Sequence, residues 1–497
     1  MLGEAVVLSV AALLSILFYI YVLEPLRLQR KASLPPGPPG HWLFGNAPPG
    51  PYAYRHYANL INEYGPVTSL RYGRRIVCIV GRYQAAVDIL VKHSAETMDR
   101  PRFVAAHEIL SGGLRVVLTG EGDRIKRLRR ALHAFLQPKV AETYKKMQSK
   151  NARTYVLDCY REPKEHMDHA RRYAATVVIS MTYGKTTPTS YSDPEVETIN
   201  RCLRRFGAAL RPGAHLVDTY PFLRYIPGYT AQLQDFHQEE LSFFQSQVAN
   251  VKSHMRNGEA ETSFVAHILR EQQNLQLSDD EVAYLAGAMF GAGSDTTASS
   301  LSIVAMAAAL FPDAQAKVQA QLDQVVGRDR APTFDDEVNL PEATAFFLEA
   351  SRWRPVASGG FAHRATKDIV WKDYVLPAGT EIVGNHLAIS RDPEVYPDPE
   401  TFNPQRWLDA NGRLRDDLKF FTFGFGRRTC VGQHVADNSL FITTALTLWG
   451  FNVTQNASSP IDPDAFTDEA LIFPKPFTVN FTPRIDGLVE ILKEELV

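Results

Sequence analysis

One helix constrains this chain more than any other feature. Ser278-Asp279-Asp280-Glu281 reads as a capping box, a hydroxyl at the N-cap with a glutamate three residues on. Residues 282–310 are then apolar or small with few interruptions, and the run stops before Pro312. About 32 residues at 1.5 Å each make a rod of roughly 48 Å, enough to cross a whole domain. Its middle is odd, because Gly287, Gly291 and Gly293 each cost about 1 kcal/mol relative to alanine in a helix interior. Asp295-Thr296-Thr297 follow among apolar neighbours. A tight helix crossing accounts for the glycines; the combination with the polar run is more specific.

Near the C-terminal end, Phe423-Gly424-Phe425-Gly426-Arg427-Arg428-Thr429-Cys430-Val431-Gly432 is a glycine-loosened loop that delivers one cysteine to the start of a helix. The run after it (Val435, Ala436, Leu440, Phe441, Leu446, Leu448) suits burial. A thiolate there meets the positive end of a helix dipole, free backbone N–H groups and arginines, all of which lower a thiol's pKa and favour metal ligation. Gly426 and Gly432 let the backbone approach something flat and large. Such a thiolate suits an axial position of haem iron, where it pushes electron density toward O–O cleavage. A lone cysteine is more often inert, yet the pattern Phe423-x-x-Gly426-x-Arg428-x-Cys430-x-Gly432 resembles the haem-binding signature of the cytochrome P450 family in every position.

That resemblance extends along most of the chain. Ala292-Gly293-Ser294-Asp295-Thr296-Thr297 is similar to the family's oxygen-activation motif. It implies a helix loosened at glycine, so that a hydroxyl and water face bound dioxygen, with Thr296 holding the oxygen and Asp295 relaying protons to it. Glu349-x-x-Arg352 follows the apolar run 345–348, so the pair is expected to be buried and must be fully hydrogen-bonded. It resembles the family's structural Glu-x-x-Arg pair. Phe402-Asn403-Pro404-Gln405-Arg406-Trp407 matches the partner motif, with Arg406 as third member of a network bracing the Cys430 loop. On the helix with Ile125, Leu128, Leu132 and Leu136 on one face, Arg129 falls on that apolar face at 100° per residue. Arg124, Lys126, Arg127 and Arg130 point elsewhere and suit a basic surface for an acidic redox partner. The resemblance makes Arg129 a haem-propionate ligand, although Ile125 stands where the family usually has Trp. It assigns the same task to His363, Arg428 and Arg100. Phe423, Gly426 and Cys430 complete the cofactor contacts, with Cys430 as the iron ligand of haem b. Residues 101–118, long and apolar for a loop, correspond to the segment that roofs the substrate pocket. Wall candidates are Phe103, Leu110, Phe290, Ala292, Val356, Phe361 and Phe473, which imply a lipophilic ligand.

Composition sets the remaining bounds. The chain has 497 residues, 45% hydrophobic and 22% charged, ample for a large core. A net charge of -2 offers nothing to nucleic acid. Four cysteines, widely spaced and without CxxC or CxxCH, exclude a disulfide framework, a zinc site and covalently attached haem. Residues 5–23 are apolar apart from two serines and two tyrosines, long enough as a helix to span a bilayer. Arg27, Arg30 and Lys31 follow, which by the positive-inside rule hold the rest of the chain in the cytosol. A cleaved signal peptide competes with this reading, but the run is long and lacks a basic start. Leu34-Pro35-Pro36-Gly37-Pro38-Pro39-Gly40 is stiff and extended, and resembles the proline-rich hinge of microsomal members.

The expected organisation is an anchor at 1–30, a hinge at 31–45 and a haem domain at 46–497, mainly α with a smaller β-rich lobe. The resemblance implies an endoplasmic-reticulum monooxygenase that inserts one oxygen atom of dioxygen into a lipophilic molecule. Phe-Gly-Phe-Gly-Arg-Arg and Arg-Trp-Leu-Asp are similar to fungal members, which suits terpenoid or polyketide secondary metabolism. No phosphate-cradling glycine fingerprint follows a strand, so electrons come from NADPH through a separate cytochrome P450 reductase, with cytochrome b5 as a further partner. A broad-specificity detoxifying enzyme shares every motif. A peroxide-rearranging member or a non-catalytic haem carrier has no use for the Asp295–Thr296 pair.

Overall fold

Val67–Tyr72 and Arg75–Val80, rich in β-branched residues on either side of Gly73, form an antiparallel hairpin (β1, β2) in register Val67 to Val80. In this computed structural model the described residues are 2–19, 33–185, 190, 192–258 and 262–494. They fall into two compact units, the first made of residues 1–101, 358–397 and 424–429, the second of residues 102–357, 398–423 and 430–497.

The first unit holds α1 (Leu2–Phe18), α2 (Ala53–Tyr64) and a four-stranded sheet. The sheet has the order β1-β2-β6-β3, with β3 at His363–Arg364 and β6 at Glu381–Gly384. A small hairpin, β4 (Ile369–Trp371) with β5 (Tyr374–Leu376), stands apart from it. β1 is an edge strand, and the proline-rich stretch docks there: Ser69 donates through N to Pro36 O at 2.9 Å and through Oγ to Pro35 O at 2.6 Å. The stiff, extended proline-rich stretch is thus hydrogen-bonded to this unit. Every side chain described in α1 is exposed. No single helix among the described residues is long and apolar enough to cross a membrane. The expected span over 5–23 runs past Tyr19 into residues outside those described, as do Arg27, Arg30 and Lys31.

The second unit is helical: α3 (Asp123–Leu136), α4 (Lys145–Arg161), α5 (His166–Tyr183), α6 (Pro194–Leu210), α7 (Ala231–Arg256), α8 (Phe264–Leu275), α9 (Asp279–Leu310), α10 (Pro312–Val325), α11 (Pro341–Trp353), α12 (Gln433–Gly450) and α13 (Leu488–Glu494). One two-stranded sheet, β7 (Phe451–Gln455) with β8 (Val479–Pro483), completes it. The chain is thus mainly α with small sheets. The capping box forms as expected, Glu281 N donating to Ser278 Oγ at 3.1 Å and Ser278 N to Glu281 Oε2 at 3.0 Å. α9 is buried along most of its length and packs against α5, α7, α11 and α12.

Its glycines mark those crossings. A Cβ at Gly287 would overlap the Phe244 ring of α7, one at Gly293 would stand 2.7 Å from Val178 of α5, and one at Gly291 3.0 Å from Leu203 of α6. The helix is continuous from 279 to 310, so the glycines serve close packing and the expected loosening at 292–297 does not occur. Gly207 in α6 faces open space. Gly287→Ala should therefore destabilise by about 1–3 kcal/mol through overpacking, whereas Gly207→Ala should stabilise by up to about 1 kcal/mol. Denaturant midpoints of the two variants check the opposite signs.

Candidate active site

The cysteine loop is built from tight turns. Arg428 N donates to Phe425 O, Thr429 N to Gly426 O, and Cys430 N to Phe423 O at 2.8 Å. Gly426 has φ 51, and a Cβ there would overlap Ser94 and approach Leu90 O at 2.7 Å. Only glycine fits, but the neighbour that demands it is the protein's own backbone. Gly432 is less constrained, since a Cβ would make only ordinary contact with Cys430 Sγ at 3.8 Å. Gly432 caps α12, so Cys430 stands two residues ahead of the helix cap.

Of the four cysteines, Cys78, Cys159 and Cys202 are buried and Cys430 is exposed. Burial pushes the Cys78 and Cys202 thiols up to about 12. Cys430 is accessible yet walled by protein, and that desolvation raises its thiol above the ordinary value. The Gly432 N–H and Arg129 pull it down, and Asp437 opposes them. The expected net lowering is therefore not present in the unligated thiol: desolvation outweighs the helix terminus. Arg129 lies half-buried on α3, lowered by burial and raised by Cys430, while Ile125 is sealed in the core. Arg124, expected at the surface, is engaged by Glu281 at 2.7 Å and Gly113 O at 2.7 Å.

The first unit holds a separate buried cationic cluster. Arg100 Nη1 donates to Phe361 O at 3.0 Å and Ala362 O at 2.7 Å, and Arg428 Nε to Met98 O. His363 Nδ1 meets Thr97 O at 2.7 Å. A carbonyl only accepts, so Nδ1 carries the proton and Nε2 of the neutral ring cannot donate. Burial, with Arg100 and Arg428, pushes the imidazole down to about 3. The expected donation from His363 to a propionate thus requires proton uptake, which an anion beside two guanidiniums would favour.

On α9, Thr296 Oγ1 donates to Ala292 O at 2.7 Å, a bond back along its own helix rather than a free hydroxyl. Asp295 is half-buried, and desolvation with the Glu469 carboxylate pushes it up to about 6 against Arg171 and Arg204. Of the wall candidates, Ala292 is exposed and Phe103 and Phe361 are half-buried. Leu110 and Phe290 are 2% and 0% exposed: Leu110 belongs to a core with Phe206 and Val217, and Phe290 meets Tyr183 edge-on, so neither offers surface to a ligand. Val356 and Phe473 are nearly sealed.

The Glu349 network is the most complete polar structure. Arg352 donates Nε and Nη2 to the two Glu349 oxygens at 2.8 and 2.7 Å, and both side chains are 0% exposed. Arg406 Nε adds 3.1 Å, Asn403 N 2.8 Å and Trp407 Nε1 2.9 Å to the same carboxylate. Arg352 also donates to Pro399 O and Thr401 O. Reasoning from sequence assigned roles to Glu349, Arg352 and Arg406 but missed Asn403 and Trp407, which stood in the same motif. It also missed Arg171, Arg204 and Glu469 around Asp295, for which no local pattern gives a signal.

The sequence model of the Cytochrome P450 family matches residues 35–481. The chain belongs to the cytochrome P450 family. Among its curated relatives, cytochrome P450 monooxygenase 64 of Postia placenta is 64% identical over 461 residues, 93% of each chain. Cytochrome P450 monooxygenase 113 of the same fungus is 57% identical over 492 residues, 98% of this chain and 99% of that one. Cytochrome P450 monooxygenase claR of Ampulloclitocybe clavipes is 32% identical, covering 93% and 89%. This P450 is accordingly a monooxygenase, an oxidoreductase with haem-thiolate iron. Its one accessible cysteine, beside a backbone N–H and Arg129, fits the thiolate ligand, and the Arg100–His363–Arg428 cluster fits an anion.

The Glu349 network makes a stability prediction for this P450. Glu349→Gln should lose about 3–5 kcal/mol, because it leaves buried Arg352 without a counter-charge. Glu381→Gln, which breaks the half-exposed Arg75 pair at 2.6 Å, should lose about 1 kcal/mol or less. Equilibrium denaturation of the two variants compares them directly.

Proposed function

We propose that this P450 oxidises a lipophilic small molecule with dioxygen and with electrons from a separate NADPH-dependent flavoprotein reductase, in fungal secondary metabolism of the terpenoid or polyketide type. The observation that carries the chemistry is the contrast between accessible Cys430 and three sealed cysteines. Cys430 would hold haem iron as a thiolate, and the haem would supply the activation of dioxygen. Cys430 would give up its proton to hold the iron, and the Gly432 N–H and Arg129 would stabilise the thiolate. Arg100 and Arg428 would hold an anionic group such as a haem propionate, and His363 would join them by taking up a proton at Nε2. Asp295, near pKa 6, can both carry and release a proton around neutral pH. The Thr296 hydroxyl turns from Ala292 O to pass that proton on. The apolar character of Ala292 and Phe103 supports a lipophilic substrate. Relatives from two fungi in the comparison support the fungal setting.

We also infer that residues 1–30 anchor the enzyme to the endoplasmic reticulum, with the catalytic part in the cytosol. Support comes from the apolar run 5–23 and the exposed apolar side chains Val7, Leu8, Ile16 and Phe18. A variant lacking 1–30 should bind haem yet leave the membrane in a carbonate wash; retention there would contradict the anchor.

The main reading has a spectroscopic test. Reduced wild type with CO should show a thiolate-type Soret band, and Cys430→His should lose it together with product formation. Thr296→Ala should keep the band but form less product per NADPH oxidised, with more hydrogen peroxide. An unchanged band in Cys430→His would remove Cys430 as the ligand. An unchanged ratio in Thr296→Ala would leave its hydroxyl with only the bond to Ala292.

A further inference from the structure

The turn 41–45, which follows the proline-rich stretch, displays two large aromatic side chains to solvent. Trp42 is 62% and Phe44 67% exposed. The other four tryptophans, Trp353, Trp371, Trp407 and Trp449, are buried. The neighbouring turn between β1 and β2 carries Arg74 and Arg75, both exposed. It is joined to the first turn, since Gly73 N donates to Phe44 O at 2.8 Å.

The turn is fixed through its backbone. His41 N donates to Gly45 O and Gly45 N to His41 O, both at 2.8 Å. His41 Nδ1 accepts from Leu43 N at 3.2 Å and Phe44 N at 3.3 Å. Arg71 of β1 is buried beneath it. Its Nη2 donates to His41 O at 2.5 Å and Trp42 O at 2.8 Å, its Nη1 to Leu43 O and Gly73 O, each at 3.1 Å. Gly45 has φ 81, and a Cβ there would overlap Arg71 O. The His41 ring stacks on Phe44 with centroids 5.2 Å apart. A guanidinium spent on carbonyls holds the main chain and leaves the Trp42 and Phe44 side chains outside.

Reach, chemistry and area favour a lipid bilayer as the cover. Trp42 lies about a dozen residues beyond the segment 1–30, and a chain of that length spans about 40 Å at most. An indole beside basic side chains suits the boundary between lipid headgroups and acyl chains, where the ring is buried and its N–H stays wet. Arg74 complements anionic headgroups; Arg75 is already shared with Glu381 at 2.6 Å. A protein partner fits less well. The two rings offer roughly 300 Å² between them, against about 800 Å² on each side of a stable interface.

We propose that the turn 41–45 is a membrane-contact element: Trp42 and Phe44 enter the headgroup boundary of an anionic bilayer, and Arg71 holds the turn in shape for it. The proposal rests on the reading of residues 1–30 as an anchor, which brings the turn within reach. With the anchor, the turn attaches the first unit to the bilayer at two points instead of one. Once the anchor is inserted, the second contact is intramolecular and needs little affinity of its own.

The test uses the haem-loaded full chain on vesicles of phosphatidylcholine and phosphatidylserine whose acyl chains carry bromine near the headgroup. Bromine quenches tryptophan emission on contact. Wild type should lose emission relative to unbrominated vesicles, and Trp42→Phe, which removes the one exposed indole, should not. The loss should shrink on vesicles of phosphatidylcholine alone. Acrylamide added from the water side should not reach Trp42. Protein that floats with the vesicles while acrylamide quenches Trp42 and bromine does not would overturn the proposal and leave the anchor standing. Protection from both quenchers would overturn it in favour of a protein cover, such as a second copy. A full chain that does not float with the vesicles would overturn the anchor reading and this proposal with it.

Discussion

Close packing around α9 is the constraint on which the second unit depends. A helix buried on nearly every side can be approached only where its own side chains are small, and glycine at 287, 291 and 293 supplies that room to Phe244, Leu203 and Val178. The cost of three glycines in a helix interior is offset by the apolar surface that their neighbours bury. Because α9 is so enclosed, Asp295 stands out as its one charged residue beyond the first turn, with hydroxyls near it. Ser294, Thr296, Ser300 and Ser302 each satisfy themselves on the carbonyl four residues back. Asp295 has no such local outlet, and its protonation is set by other elements.

Charges in this protein divide into those that are closed and those left open. Glu349 is closed: both oxygens are bonded, and the surrounding donors justify a carboxylate with no exposure. The buried Arg115–Glu240 pair is closed as well, extended by Tyr284 Oη to Glu240 at 3.1 Å and by His237 to Tyr284 at 2.8 Å. Cys430, Asp295 and the imidazole of His363 are open. Each is held by burial away from its charged form. A group in that state gains most when a counter-charge or a metal arrives, which is the property a cofactor site requires.

Local chemistry makes much of this fold legible in the residues alone. The capping box, the length of α9 and the apolar face of α3 rest on neighbours a few residues apart, and the chain shows them where its pattern predicts. The Glu349–Arg352 pair is legible because i and i+3 share a helix face, and its burial because apolar residues precede it. Leu110 and Phe290 mislead for the complementary reason: an apolar residue in a suggestive stretch faces either a core or a cavity, and periodicity does not distinguish them.

The sequence by itself determined the family and the mainly helical class, because each resides in stretches whose residues act together. Tertiary structure alone decided the electrostatics. That the Cys430 thiol is raised rather than lowered follows from how much protein surrounds it. That the Asp295 carboxyl is raised follows first from its burial among elements distant in the chain, among them the hairpin 465–475, fastened to α9 through Ser299. Desolvation and long-range charge depend on what is near in space, and no local pattern of residues records that.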